Sequence, residues 1–140
     1  STDRAKYARL TELVGDQIHV SNPDEHDWLK NIIELGWKLY LCSTPPFLLQ
    51  TASDQRMNEY TRLAFAGEYE KARAVRDSLE PVRAAIKASK PKGKPQAHAK
   101  YWQSLIGQHG GPVRRPLLAL TEAEQAATRA AFAHCGLQTP

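Results

Sequence analysis

The run from Gly110 to Gln125, GGPVRRPLLALTEAEQ, constrains this chain more than any other stretch, because it must join two helices through an extended bridge. Gly110 and Gly111 have no side chains and Pro112 has no N–H, so a helix arriving from the N-terminal side cannot continue through them. Pro116 holds Arg115 extended. Thr121 and Glu124 then stand three residues apart, the spacing of a capping box that satisfies the free amides at the start of the next helix.

At 140 residues, with 41% hydrophobic and 24% charged residues, the chain has the make-up of one globular domain with one core. No apolar run approaches the ~20 residues of a membrane span, and Ser1 to Leu10 lack a signal-peptide pattern, so the expected location is cytoplasmic and no membrane partner is expected. Cys42 and Cys135 have no C-x-x-C spacing and read as small buried residues in a reducing compartment. His19, His26, His98, His109 and His134 share no ligand spacing, so no metal site is expected. The net charge of +4 and the cluster Lys87, Lys90, Lys92, Lys94 and Lys100 raise the question of nucleic acid. Pro91, Gly93 and Pro95 mark that cluster as a solvated connector, and no aromatic is interleaved before Tyr101, so a nucleic-acid partner is not expected.

Periodicity and punctuation divide the chain into elements. Asp3 caps a first helix with Tyr7, Leu10, Leu13 and Val14 on one face, ended by Gly15. A short strand is expected at 17–20 and a second at 38–42. Between them Asn22, Pro23 and Glu25 take the N-cap, N1 and N3 positions of a helix whose stripe is Trp28, Leu29, Ile32, Ile33 and Leu35, ending at Gly36. Further helices are expected at 56–66, at 69–88 with a kink at Pro81, at 96–107 and at 122–135. The first third thus reads α-β-α-β-α, an α/β pattern of parallel strands and crossover helices, and the rest is helical. Two short parallel strands leave two open edges, so further strands are expected before Ser1 or on another chain.

Three stretches carry a family resemblance: LAFAGEYEKARAVRDSLEPVRAAI at 63–86, HAKYWQSLIGQHGGPVRRPLLAL at 98–120, and TEAEQAATRAAFAHCGL at 121–137. A Gly-acidic turn is followed by an Ala-rich helix with Leu-x-Pro, a Lys-led helix, a Gly, then R-x-P at Arg114 and Pro116 before a last helix. In this order the chain resembles the C-terminal half of the dihydrodipicolinate synthase and N-acetylneuraminate lyase superfamily. The resemblance implies the last two strands of a (β/α)8 TIM barrel within residues 1–67, a C-terminal helical domain at 68–140, and a homotetramer. It also implies a Schiff-base lyase acting on pyruvate or a related 2-keto acid, by aldol cleavage, condensation or dehydration, with no cofactor.

The family's imine-forming lysine, its proton-relaying tyrosine and its carboxylate-binding segment all fall before Ser1, so no catalytic residue is expected in this chain. Lys38 and Tyr40 would lie low in the last strand, away from the C-terminal face where barrel active sites sit. The expected contribution is pocket wall: Ser21, Asn22, Leu41, Ser43 and Thr44. Asn22 serves equally as the helix cap. Ser-Asn-Pro after the first strand and Pro45-Pro46 after the second depart from the family pattern.

Two competing readings are a non-catalytic helical interaction module, docking on a partner chain through open strand edges, and a Cys42 nucleophile activated by His19 on the neighbouring strand. The second is the weaker, since mid-strand thiols are buried and inert.

Overall fold

The computed structural model describes residues 3–21, 25–38 and 46–138, and among these residues the protein is built from helices with no strand. The helices are α1 (Arg4–Val14), α2 (Trp28–Leu35), α3 (Arg56–Phe65), α4 (Tyr69–Ser78), α5 (Glu80–Ser89), α6 (Pro95–Leu105) and α7 (Glu122–Ala133). Short 3-10 turns precede α2, at Glu25–Asp27, and α3, at Pro46–Leu49.

One core runs through the bundle and crosses position 67. Trp28, Leu29 and Ile32 of α2 meet Met57, Tyr60, Leu63 and Ala64 of α3, and these continue through Ala72, Leu79, Val82 and Ile86 to Trp102, Ile106 and Cys135. Helix α4 packs on α3, where the fully buried Ala72 presents only a methyl group and lets the backbones come close. Helix α7 packs on α5 and α6. Trp102 is fully buried at the centre: its indole N–H donates to the Leu48 carbonyl at 3.0 Å, and its ring meets Phe132 edge-on at 5.3 Å. A single side chain therefore ties α6 to the turn before α3 and to α7, joining apolar contact with a satisfied polar handle.

The α/β expectation is overturned. Residues 17–20, expected as a strand, instead follow α1 in a turn, with the amides of Gln17 and Ile18 bonding back to the Val14 carbonyl at 3.0 and 2.7 Å. A strand needs a neighbour to satisfy its backbone groups, and no described segment pairs with this one, so local bonds prevail. Ile18 is left 60% exposed. Of the second expected strand only Lys38 is described, and it is not in a strand, while residues 39–42 lie outside the described residues. The described part of residues 1–67 thus does not hold the last two strands of a (β/α)8 barrel.

Smaller differences have local causes. The expected helix at 69–88 is two helices meeting at Leu79, whose amide bonds to the Arg76 carbonyl at 3.1 Å before the amides of Val82 and Arg83 restart the ladder on Leu79. Pro81 has no N–H to give to Asp77 and its ring crowds that carbonyl, so the bend becomes a break. Helix α1 forms as its sequence directs, with the Asp3 carboxylate accepting from the Ala5 amide at 3.1 Å, yet it buries none of its residues. It is tethered instead by polar and ring contacts: Arg4 bonds Asn31 and Glu34 of α2, and Tyr7 stands edge-on to Trp37 at 6.0 Å.

Candidate functional site

The expected pocket-wall residues do not form a described site. Ser21 lies in the coil after α1, half-buried, while Asn22, Leu41, Ser43 and Thr44 lie outside the described residues, as do Tyr40 and Cys42. Their grouping depended on the tops of two strands, and the described residues contain none. His19, offered as a partner for Cys42, is exposed.

A cleft does open between the C-terminal ends of α1 and α2. About 220 Å³ in volume, it is lined by Thr11, Asp16, His19, Leu35, Trp37 and Lys38 with neighbouring backbone. It is smaller than the ~300–1,000 Å³ usual for small-molecule sites. The Trp37 indole N–H donates to the Thr11 hydroxyl at 2.8 Å, and that hydroxyl donates to the Tyr7 carbonyl at 2.9 Å, so the polar groups in its wall are used in holding α1. Asp16, His19 and Lys38 are exposed and keep their hydration. The cleft thus presents an acid, an imidazole and an amine at its exposed rim.

Two buried polar clusters, missed by sequence reasoning, lie elsewhere. In the first, Arg56 grips Asp54 through two nitrogens, at 2.9 and 2.7 Å, and spans outward to the carbonyls of Ser78 at 2.8 Å and Gly136 at 3.1 Å. The Gln138 amide donates to Asp54 at 3.3 Å, and the Thr51 hydroxyl donates to the Gln138 carbonyl. The Arg56 guanidinium holds the Asp54 carboxyl below the usual carboxylate range, against the opposing effect of burial. The partners are backbone groups, the Ser78 hydroxyl and the two members of the pair, so the cluster fastens residues 136–138 to the start of α3. Burial pushes the nearby Cys135 thiol up, which leaves it protonated and inert. The Thr51 and Asp54 spacing carries a signal, since Thr51 accepts from the Asp54 amide in a local turn. Its long-range partners at 136 and 138 carry none.

In the second cluster the buried His98 lies 2.9 Å from the Ser89 hydroxyl, which is itself 2.8 Å from the Ala85 carbonyl. One arrangement satisfies all three groups: His98 Nε2–H donates to Ser89 Oγ, and Ser89 Oγ–H donates to Ala85. A histidine activating a serine needs the opposite sense, with the imidazole accepting the hydroxyl proton. In the first arrangement the pair closes the junction of α5 and α6. Burial pushes the His98 imidazole below its ordinary range, with Lys90 adding to the effect.

The lysines divide in the same way. Lys94 is paired with Glu124 at 2.7 Å, and Lys100 donates to the Gly110 carbonyl at 2.7 Å, while Lys87, Lys90 and Lys92 are exposed around the α5–α6 turn. Glu124 is also the acceptor for the Thr121 amide, at 2.7 Å, and its own amide donates to Thr121 Oγ at 3.2 Å, completing the capping box read from the sequence. Among the described residues no group of three His, Cys, Asp or Glu side chains is placed to hold a metal, and no helix is long and apolar enough to cross a membrane. The fold and these clusters define a helical bundle whose described polar groups are arranged for packing. No protein-family model, curated protein or solved structure matches the chain.

Proposed function

We propose that this chain is a helical, non-catalytic part of a lyase that forms a Schiff base with pyruvate or a related 2-keto acid, the imine-forming lysine lying outside these 140 residues. The observation that carries the reading is the resemblance over 98–137, together with the local structure of that stretch: α6, a glycine stop, the Arg114 and Pro116 bridge, and a capped α7. A Schiff-base lysine needs a neutral amine in a desolvated pocket. The Lys94 amine is not free in such a pocket but engaged by the Glu124 carboxylate at 2.7 Å. The free, buried thiol of Cys135 accords with a reducing, cytoplasmic setting.

A second reading is a helical interaction module without chemistry, favoured by the large apolar side chains at the surface, Leu10, Leu13, Phe65 and Leu118 among them. Docking through strand edges is no longer part of it, because the described residues contain no strand. Reductive trapping separates the two. The chain, purified with whatever it is assembled with, is treated with pyruvate and cyanoborohydride and its lysines are mapped by mass spectrometry. The lyase reading expects a pyruvyl adduct on a lysine outside residues 1–140 and none on the lysines within. An adduct within the chain contradicts the non-catalytic role, and no adduct on any polypeptide contradicts the lyase.

A further inference from the structure

We infer that the bridge at 114–118 is a docking element for another polypeptide, whose receiving surface is an apolar groove rimmed by carboxylates. Leu118 is 70% exposed and Leu117 47% exposed, in an exposed run between the buried Gly110 and the buried Leu120. Arg114 and Arg115 beside them are exposed, and no hydrogen bond or ion pair joins either guanidinium to a described residue. Arg56, Arg76 and Arg83, by contrast, are each bound to a carboxylate. Two bare leucines and two bare arginines thus fall within five consecutive positions.

The segment is held for presentation. Lys100 grips the carbonyl of Gly110 at one end, the Thr121 capping box fixes the other, and the Leu117 amide closes on the Arg114 carbonyl at 3.0 Å to make a turn between them. Docking such a turn costs little ordering entropy compared with a free loop. Its chemistry selects the occupant. The leucines call for an apolar groove, and the arginines call for bidentate carboxylates at its edge, since no residue from 108 to 121 is acidic. A nucleic acid would leave the leucines in water. An anionic lipid surface would meet the exposed Glu122 immediately beyond the bridge. This inference rests on the surface alone and holds under either reading of the function.

The test places a photoreactive group in the full chain, as Leu118→benzoylphenylalanine, with Ala126→benzoylphenylalanine on the exposed side of α7 as the control, and illuminates the cells that make it. The expected result is a crosslink specific to position 118, mapping on one partner polypeptide to apolar residues flanked by Asp or Glu. Adding Arg114→Glu and Arg115→Glu should cut its yield by at least about tenfold, the loss of roughly 1.4 kcal/mol of contact, while the helical circular dichroism stays unchanged. A crosslink to a second copy of this chain, to lipid or to nucleic acid overturns the inference. So does a yield no higher than the control, a mapped site without carboxylates, or a yield indifferent to charge reversal.

Discussion

His98 and Asp54 show how single buried polar groups set the pH response of a basic, water-exposed bundle. His98 is neutral in the fold because burial and Lys90 disfavour its charged form, whereas an unfolded histidine titrates at about 6.5. The unfolded chain therefore binds a proton that the folded chain refuses. The stabilisation is fully present above about pH 6.5 and is lost as the pH falls towards the depressed folded value. Chemical unfolding from pH 7.5 to pH 5 should show this loss, and His98→Gln, which can still donate to Ser89, should flatten it; an unchanged slope in the variant would assign the pH dependence elsewhere. Asp54 works the same way at lower pH. Its folded carboxyl is depressed by Arg56, so its contribution is present above about pH 4 and lost below. Asp54→Asn should cost about 2 kcal/mol at pH 7, the scale of a buried hydrogen bond to a charge, and the gap from the native protein should shrink by pH 3. Neither residue stands out in the sequence, because what makes each of them matter is a partner that only the fold supplies.

At the scale of elements, the bridge from α6 to α7 joins features that sequence shows to ones it hides. The glycine stop and the Thr121 cap were legible, since each follows from a residue acting on its own backbone, whereas the stretch expected to be extended at Arg115 is a turn, closed by the Leu117 amide on the Arg114 carbonyl at 3.0 Å. The reason Gly110 must be glycine was not legible. An added Cβ there would stand 1.8 Å from the Lys100 carbonyl oxygen and 2.9 Å from the Ser104 hydroxyl, and the first of these is helix backbone that cannot move aside. Gly110→Ala should therefore destabilise the protein by roughly 1–3 kcal/mol, the usual cost of overpacking, and should weaken protection of the α6 and α7 amides in hydrogen exchange. A variant with native stability would show that the bridge carries no such constraint. The break at Leu79 makes a similar point: Pro81 announced a bend, and the structure turns it into two helices, α4 and α5, that meet at the fully buried Leu79.

For the molecule as a whole, helix positions from Arg56 onward were readable, and the architecture of the first third was not. Residues 17–20 have the apolar-polar alternation of a strand, but alternation states only which face would be buried if a neighbour were present. Without one, Ile18 turns to water and the segment closes on the end of α1. The same holds for the face of α1, where Leu10 and Leu13 line up as the helix period requires and remain exposed because nothing described covers them. The grouping of the pocket-wall residues assumed strand tops, and all of them but Ser21 lie outside the described residues. What organises the molecule is the contact of α2 with α3 and α4, and of Trp102 with Leu48 and Phe132, and such long-range pairings are absent from any local pattern. The central claim is that this chain forms a helical bundle without a sheet among its described residues. Backbone NMR on the 140-residue protein tests it most directly. The account predicts helical chemical shifts across α1 to α7 and none of the cross-strand NOEs of a sheet from residues 17–20. Extended shifts there, with NOEs to a second strand, would contradict it.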